Sequence, residues 1–410
     1  MKVLEDYENI INNRLINQIK ARAKKLDGKK VLHINSNNKD GGVAEILHSL
    51  VPLMNNLNID TEWKVIGGPE NFFMITKKFH NSLQGEEIDM SKINKKLYVK
   101  NNQDFSTTIE VDYDYVIVHD PQPLPLIKFF KKEQPWIWRC HVDLSNPNKQ
   151  VWSYLKGFIK EYNCMIISKK GYKTDGIKLA KRIFYPAIDP LSEKNKELPE
   201  KKVNAYLKKF GVEKNKPIIT QVSRFDKWKD PLGVIKVFEK IREKEKCQLI
   251  LMGSFATDDP EAVKIYEEVK KRVKKSRHEK DIKIIRGGKN VMYDNDLAVN
   301  AIQSASDVII QKSLKEGFGL IVSEALYKKT PVVASDVGGI SLQVVNGVNG
   351  FLHEPNDING FSKSVMKLLK NEKLRREFGK KGKEHIIENF LITRLLLNYL
   401  DLLNSLTKVN

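Results

Sequence analysis

Short apolar strands alternate with helical patterns along most of the chain, in two successive series. The first series opens with residues 29–35, a buried strand that leads through Gly41-Gly42 into a helical pattern. The second opens at residues 217–223. Strands that alternate with helices pair in parallel through right-handed crossovers. The pattern therefore predicts an α/β fold with two doubly wound, Rossmann-like domains. The other predicted strands are 62–66, 113–119, 136–141, 248–252, 282–285, 307–311 and 331–335.

A length of 410 residues exceeds what one hydrophobic core usually supports, which also favours two domains. The polar, lysine-rich stretch 191–207 is the predicted linker, so we expect domains at 1–195 and 196–386 with a cleft between them. The final amphipathic pattern, within 387–410, is long enough to pack back on the first domain. Residues 86–110 are weakly patterned, and no element is predicted there.

The formal net charge of +20 raises the question of an anionic partner. Basic residues alternate with acids in stretches such as 264–280, and no dense basic block carries stacking aromatics. A solvated surface is therefore favoured over nucleic-acid or membrane binding. The first eight residues contain early acids and lack the apolar segment of a secretory signal. Because the three cysteines form no Cys-x-x-Cys pair, we expect a cytoplasmic protein.

Neither the dinucleotide-binding pattern Gly-x-Gly-x-x-Gly after the first strand nor a P-loop is present. In open α/β sheets, ligands bind beyond the carboxyl ends of the strands. This rule selects the residues that follow predicted strands as candidates for a site: His119-Asp120, His141, Arg224–Lys229, Gly253, Arg286-Gly287 and Glu316–Gly319.

Glu316 and Glu324 flank a strand-to-helix junction built from Gly317-Phe318-Gly319, with Leu320 after it. Glycines at such a junction let backbone N–H groups approach an anion at the helix N-terminus. A sugar diphosphate is such an anion. Glu316 can accept hydrogen bonds from sugar hydroxyls and Glu324 from a ribose diol, although a capping carboxylate and a surface glutamate would give the same pattern.

Arg224 and Lys229 follow the first strand of the second series at its carboxyl end. The two cations would converge on a leaving diphosphate and stabilise its developing charge. Surface cations at the same spacing are the alternative interpretation.

In the first domain, Gly41-Gly42 would bring backbone amides close to a phosphate or an acceptor sugar, or would simply form a turn. Asp120 and His141 follow neighbouring strands, so Asp120 could hold acceptor hydroxyls and His141 a donor-sugar hydroxyl. Asp112-Tyr113-Asp114 lies at the beginning of its strand, the wrong end for the cleft, so we expect no metal site there.

With these residues in place, the chain resembles family 4 glycosyltransferases with the GT-B fold. Glu316 and Glu324 match their paired-glutamate motif, Arg224 and Lys229 their diphosphate-binding pair, and Gly42 their N-terminal glycine loop. A closer likeness, to trehalose glycosyltransferring synthases, runs through these stretches: 31–35, 41–53, 119–123, 135–141, 188–195 and 221–226. Two features depart from that group: Asp40 precedes Gly41 where a third glycine is usual, and residues 168–181 are lysine-rich.

This resemblance implies a retaining glucosyltransferase that forms trehalose reversibly from free glucose and UDP-, ADP- or GDP-glucose, without a metal. Its partners would be these small molecules, and a homodimer is left open. Three alternatives remain at this point. They are a trehalose phosphorylase, a family 4 transferase with another sugar or lipid acceptor, and, from a different class, a basic nucleic-acid-binding protein.

Overall fold

The computed structural model describes residues 2–39, 41–88, 90–254, 260–287 and 295–406. Asp40, which departs from the triple-glycine pattern, lies outside the described residues. The chain divides into two compact units, one formed by Met1–Ala187 with Phe390–Asn410 and the other by Ile188–Asn389. Each unit contains a six-stranded sheet in which neighbouring strands run parallel, so the α/β class predicted from the alternating pattern is confirmed.

The sheet of the first unit has the order β2-β1-β3-β4-β5-β6. Its strands are β1 Lys30–Asn35, β2 Asp60–Val65, β3 Tyr115–His119, β4 Trp136–Arg139, β5 Cys164–Ile167 and β6 Ala180–Ile183. The helices are α1 Asn13–Ala23, α2 Gly42–Asn56, α3 Glu70–Leu83, α4 Lys92–Ser106 and α5 Lys149–Ile159. β3 and β4 are buried throughout, as expected for central parallel strands with both faces covered.

The sheet of the second unit has the order β12-β11-β10-β7-β8-β9. Its strands are β7 Ile218–Val222, β8 Gln248–Ser254, β9 Ile282–Gly287, β10 Val308–Gln311, β11 Val332–Ser335 and β12 Gly350–His353. The helices are α6 Glu200–Lys209, α7 Pro231–Arg242, α8 Pro260–Lys274, α9 Asn295–Ala305, α10 Leu320–Tyr327, α11 Ile340–Gln343, α12 Ile358–Lys370 and α13 Glu372–Asn389.

Strand order reverses beside the first strand of each sheet. β1 lies between β2 and β3, and β7 lies between β8 and β10, so successive crossovers leave these strands in opposite directions. Ligands of doubly wound sheets bind beyond the carboxyl ends of the strands at such reversal points. The loops after β1 and β3, and those after β7 and β10, are therefore the places to look for a site.

The last helix, α14 Ile392–Leu406, belongs to the first unit and packs against α1 and α2. Six of its seven leucines are buried, and hydrogen bonds join its outer face to α1. Arg22 Nε lies 2.7 Å from Asp401 Oδ1, and Asn404 Nδ2 donates to the Arg22 carbonyl oxygen over 3.1 Å. Tyr399 on this helix contacts the side chain of His33 on β1.

The predicted linker 191–207 is wrong in its second half, where α6 forms and buries Leu207. The second unit also begins at Ile188, before the predicted boundary at 195/196, because its own helix α9 holds the segment that follows. Asn300 Nδ2 donates to the carbonyl oxygens of Glu193 and Lys196 over 2.9 and 2.8 Å. The unassigned stretch 86–110 contains α4, whose apolar contribution to the core is mainly Tyr98.

Among the described residues, no helix is both long enough and apolar enough to span a bilayer. The three cysteines, Cys140, Cys164 and Cys247, are buried and unbridged.

Two helical glycines offer a matched test of packing. A Cβ at Gly379 in α13 would lie 2.0 Å from the Lys329 carbonyl oxygen, whereas one at Gly157 in α5 would meet nothing within 4 Å. We expect Gly379→Ala to lower the free energy of unfolding by about 1–3 kcal/mol through overpacking. Gly157→Ala should raise it by about 1 kcal/mol through helix propensity. Calorimetric unfolding of both variants checks this, and equal stability gains would contradict the close contact.

Candidate active site

The loops after β7 and β10 bring Lys229 and Glu316 together in the second unit. Lys229 Nζ forms an ion pair with Glu316 Oε2, and the two side chains are only 16% and 10% exposed. The strands that carry these loops are hydrogen-bonded neighbours at the reversal point of the sheet. A cation and a carboxylate are therefore held where doubly wound sheets bind ligands.

Glu316 accepts every one of its described hydrogen bonds on one oxygen. Besides Lys229 Nζ, Gln311 Nε2 and Ser313 Oγ each donate to Oε2 over 3.2 Å. Three donors satisfy a carboxylate that the fold largely removes from water. Within the described residues, Oε1 is the oxygen that remains to accept a hydrogen bond from a ligand.

The backbone of Lys229 is fixed by its neighbours. Gln221 Nε2 on β7 donates to the Lys229 carbonyl oxygen over 2.7 Å, and Asp226 Oδ1 accepts from the Trp228 and Lys229 N–H groups over 2.9 and 3.2 Å. Arg224 is different: its side chain is 71% exposed, and Nη2 lies 3.1 Å from Asp226 Oδ2. The structure thus pairs Lys229 with Glu316 and leaves Arg224 at the surface.

The Gly317-Phe318-Gly319 loop turns the chain tightly beside Glu316. Gly319 has φ +80°, and a Cβ there would lie 3.2 Å from Glu316 Cγ. The Gly317 carbonyl oxygen accepts from Gly339 N–H over 3.0 Å, and that of Phe318 accepts from Gln343 Nε2 over 2.6 Å. These bonds orient the N-terminus of α10, which begins at Leu320, next to the carboxylate. Helix N-termini offer amides to anions.

The remaining candidates in this unit lie in different surroundings. Glu324 on α10 is 1% exposed and accepts from Gln303 Nε2 over 3.2 Å, so its carboxylate lies inside the fold and its ribose contact stays a prediction. A Cβ at Gly253 would lie 1.9 Å from the Ser223 carbonyl oxygen, so close packing alone requires a glycine at this position. Arg286 is exposed, with its guanidinium 5.9 Å from the Tyr266 ring centroid.

A second ion pair, which was not predicted from the sequence, lies behind the Lys229 turn. Lys312, which directly follows β10 and is 1% exposed, donates to Asp230 Oδ2. Asp230 adopts φ +45° and caps α7 by accepting from Gly233 N–H over 3.0 Å. This pair joins the start of α7 to the end of β10. A lysine directly after an apolar strand was the signal that could have indicated it.

In the first unit, Asp120 and His141 lie together after β3 and β4. Asp120 has φ +63°, donates its N–H to the Arg139 carbonyl oxygen over 2.8 Å and accepts from His141 N–H on Oδ1 over 2.7 Å. Burial raises the pKa of Asp120 to about 6, although the His141 N–H and the Arg139 charge act in the opposite direction. A carboxyl group that titrates near neutrality is frequent in functional sites.

His141 ends a file of three histidines that the sequence analysis did not predict. His141 Nε2 lies 3.0 Å from His119 Nδ1, and His119 Nε2 lies 2.9 Å from His33 Nδ1. Burial lowers the pKa of all three imidazoles, that of His33 to about 3. Polar residues inside the apolar strands β1 and β3 were the available signal.

Two further predicted positions can be placed. Gly41 is exposed with φ +97°, and α2 begins at Gly42, so the glycine pair forms a strand-to-helix turn after β1. Asp112 Oδ2 lies 3.0 Å from Lys30 Nζ, and Asp114 Oδ1 lies 2.8 Å from Lys29 Nζ. Both aspartates therefore hold lysines at the amino ends of β1 and β3.

Comparison with known proteins identifies the family. The trehalose synthase N-terminal domain family matches residues 33–174, and glycosyl transferases group 1 matches residues 203–385. The trehalose synthase of Thermococcus litoralis is 47% identical over 408 residues, covering 98% of this chain and 97% of the relative. The chain belongs to the trehalose synthase family of GT-B glycosyltransferases.

Other members and neighbours of this family extend the comparison. The trehalose synthase of Rubrobacter xylanophilus is 41% identical, covering 100% of this chain and 98% of the relative. The trehalose phosphorylase of Pleurotus pulmonarius is 28% identical, covering 93% of this chain but 58% of the relative. A solved α,α-trehalose-phosphate synthase from Burkholderia xenovorans has the same fold, with a TM-score of 0.73 at 12% identity, covering 92% of this chain and 100% of that one. The predicted GT-B fold is confirmed.

Asp120 can be tested against Asp114, which lies at the opposite end of the same strand. Burial also acts to raise the pKa of Asp114, but hydrogen bonds from Lys29 Nζ and Lys30 N–H lower it below its usual value. We therefore expect the carboxyl carbon of Asp120 to titrate near pH 6 and that of Asp114 below the usual range of an aspartate in an NMR titration. Asp120→Asn assigns the resonance. A midpoint near 4 for Asp120 would contradict its buried setting.

Proposed function

We propose that this chain transfers glucose from a nucleoside-diphosphate glucose to free glucose, with retention at the anomeric carbon, to form trehalose reversibly. Membership of a family of trehalose-related glycosyltransferases supports the reaction class. The observation that carries the proposal is the Lys229–Glu316 pair at the strand reversal of the second unit. It supplies a cation for a leaving diphosphate and a carboxylate oxygen for sugar hydroxyls.

The second unit would bind the donor. Lys229 and the amides at the start of α10 would bind the diphosphate. Arg224, which is exposed and pairs with Asp226, would close on it when it binds. Negative charge grows on the diphosphate as the bond from C1 to the phosphate oxygen breaks. Fixed cations and amides stabilise that charge more in the transition state than in the ground state. Glu316 Oε1 would accept from glucose hydroxyls.

The first unit would bind the acceptor glucose through Asp120, with His141 donating to a hydroxyl of the donor sugar. The acceptor hydroxyl would attack C1 from the face that the diphosphate leaves, through an oxocarbenium-like state. Its proton would pass to the departing phosphate oxygen, so the products are trehalose and the nucleoside diphosphate. No enzyme nucleophile or metal enters this scheme, and the cytoplasm would supply both substrates.

A trehalose phosphorylase is the second candidate. It is supported by a relative of that name, which is 28% identical in an alignment that covers 93% of this chain. Incubation with glucose and UDP-, ADP- or GDP-glucose, followed by NMR of the products, separates the two. We expect an α,α-1,1-linked product that requires a nucleotide donor. Trehalose formed only from glucose 1-phosphate and glucose would instead establish the phosphorylase.

Lys229 has a matched control on the same short turn. Lys229→Met should lower kcat by roughly 100-fold or more, because it removes a cation from the leaving group. Lys227 carries the same charge two residues away, but its Nζ lies 5.1 Å from the Trp228 ring centroid. Lys227→Met should therefore keep kcat within a few-fold. Steady-state kinetics with saturating glucose compare them, and equal effects would refute a specific role for Lys229.

A further inference from the structure

The imidazoles of His33, His119 and His141 are hydrogen-bonded in a row, here called the file, across neighbouring strands of the first unit. His33 lies on β1, His119 ends β3, and His141 follows β4. Consecutive rings stack with centroids 5.2 and 5.3 Å apart. His33 and His119 are fully buried, whereas His141 keeps some exposed surface. The file therefore runs from the interior of the unit to a residue that ligands can reach.

All three rings are neutral at physiological pH. Burial lowers their pKa values, and the buried guanidinium of Arg139 further disfavours a positive charge on His119 and His141. A neutral imidazole has one N–H donor and one acceptor nitrogen. Each hydrogen bond between two imidazoles needs one N–H donor and one acceptor nitrogen. Once the donor in one of these hydrogen bonds is known, the tautomer of every ring in the file follows.

The buried end of the file selects that direction. Within the described residues, His33 Nε2 has no hydrogen-bond partner, and its ring packs against Tyr399 of α14 with centroids 5.9 Å apart. A buried N–H without an acceptor is rarer than a buried acceptor without a donor, so a lone pair is the favoured occupant of this position. The proton of His33 then lies on Nδ1 and is donated to His119 Nε2.

The same direction continues to the exposed end. His119 carries its proton on Nδ1 and donates it to His141 Nε2, which leaves the proton of His141 on its own Nδ1. Free histidine in water prefers the other tautomer, with the proton on Nε2. The file would thus hold His141 in the form that solution disfavours.

We propose that His33 and His119 are positioning residues that keep His141 as an Nδ1–H donor, so that it donates to a sugar hydroxyl oxygen and cannot act as a general base. The sugar contact rests on the proposed function. The tautomers themselves do not, because they follow from the contacts inside the first unit.

Long-range ¹H–¹⁵N correlation spectra of the labelled protein near pH 7.5 measure the tautomers directly. We expect His33, His119 and His141 to be neutral with protons on Nδ1, assigned through single His→Gln variants. A proton on Nε2 of His119 or His141 in the wild-type protein would overturn the inference. This result needs no turnover, so it stands apart from a failure of the proposed reaction.

Two substitutions of His119 separate positioning from packing. His119→Asn retains an amide donor near the position of Nδ1 and should keep His141 protonated on Nδ1. His119→Leu lacks a donor, so His141 should gain the Nε2–H form, and kcat/KM for the sugar substrates should fall about tenfold. An unchanged His141 tautomer in His119→Leu would overturn the inference. If the leucine variant does not fold, the wild-type spectrum still decides.

Discussion

One carboxylate oxygen, Glu316 Oε2, organises the candidate site of the second unit. It accepts from Lys229 Nζ, Gln311 Nε2 and Ser313 Oγ, and these donors come from the loops and strand ends on both sides of the sheet reversal. A carboxylate that is largely removed from water is stable only when such donors surround it. The same bonds hold the lysine in place before any substrate arrives. Groups fixed in advance need no reorganisation when charge develops on a leaving group.

In the first unit, too, hydrogen bonds hold candidate side chains at the strand reversal, but there the groups are an aspartate and histidines. Its reversal point lies beside β1 and β3, and Asp120 is fastened there by backbone bonds to the end of β4. His141 is hydrogen-bonded to the buried imidazole of His119, which is hydrogen-bonded in turn to that of His33. In both units a candidate ligand-binding side chain is hydrogen-bonded to more deeply placed residues, Glu316 to Gln311 and Ser313, and His141 to His119. Gln311, His33 and His119 belong to strands, which hold side chains more precisely than loops do.

The sequence predicted what depends on local pattern. β1, β7 and β10 are apolar runs that end at polar or glycine-rich loops, so their carboxyl ends, and with them Lys229 and Glu316, could be located. β6 is an exposed edge strand containing Lys181 and Arg182, and it has no apolar run to reveal it. The pairing of Lys229 with Glu316 depends on β7 and β10 being neighbours in the sheet. The local sequence of a strand does not indicate which strand lies beside it. His33 and His119 were missed as a pair for the same reason.

Calorimetric titration of the nucleoside diphosphate and its glucose conjugate tests the role of Glu316 most directly. Both ligands carry the nucleobase that supports turnover, and each is titrated into the wild-type protein and into the Glu316→Gln variant. We expect the glucose moiety to strengthen binding about tenfold less, or weaker still, in the variant than in the wild type, because the substitution weakens a charged hydrogen bond to the sugar. The affinity of the variant for the free diphosphate should be unchanged or higher, because a nearby negative charge is removed. Equal losses for both ligands, or no loss for either, would contradict the assignment of Glu316 to the sugar.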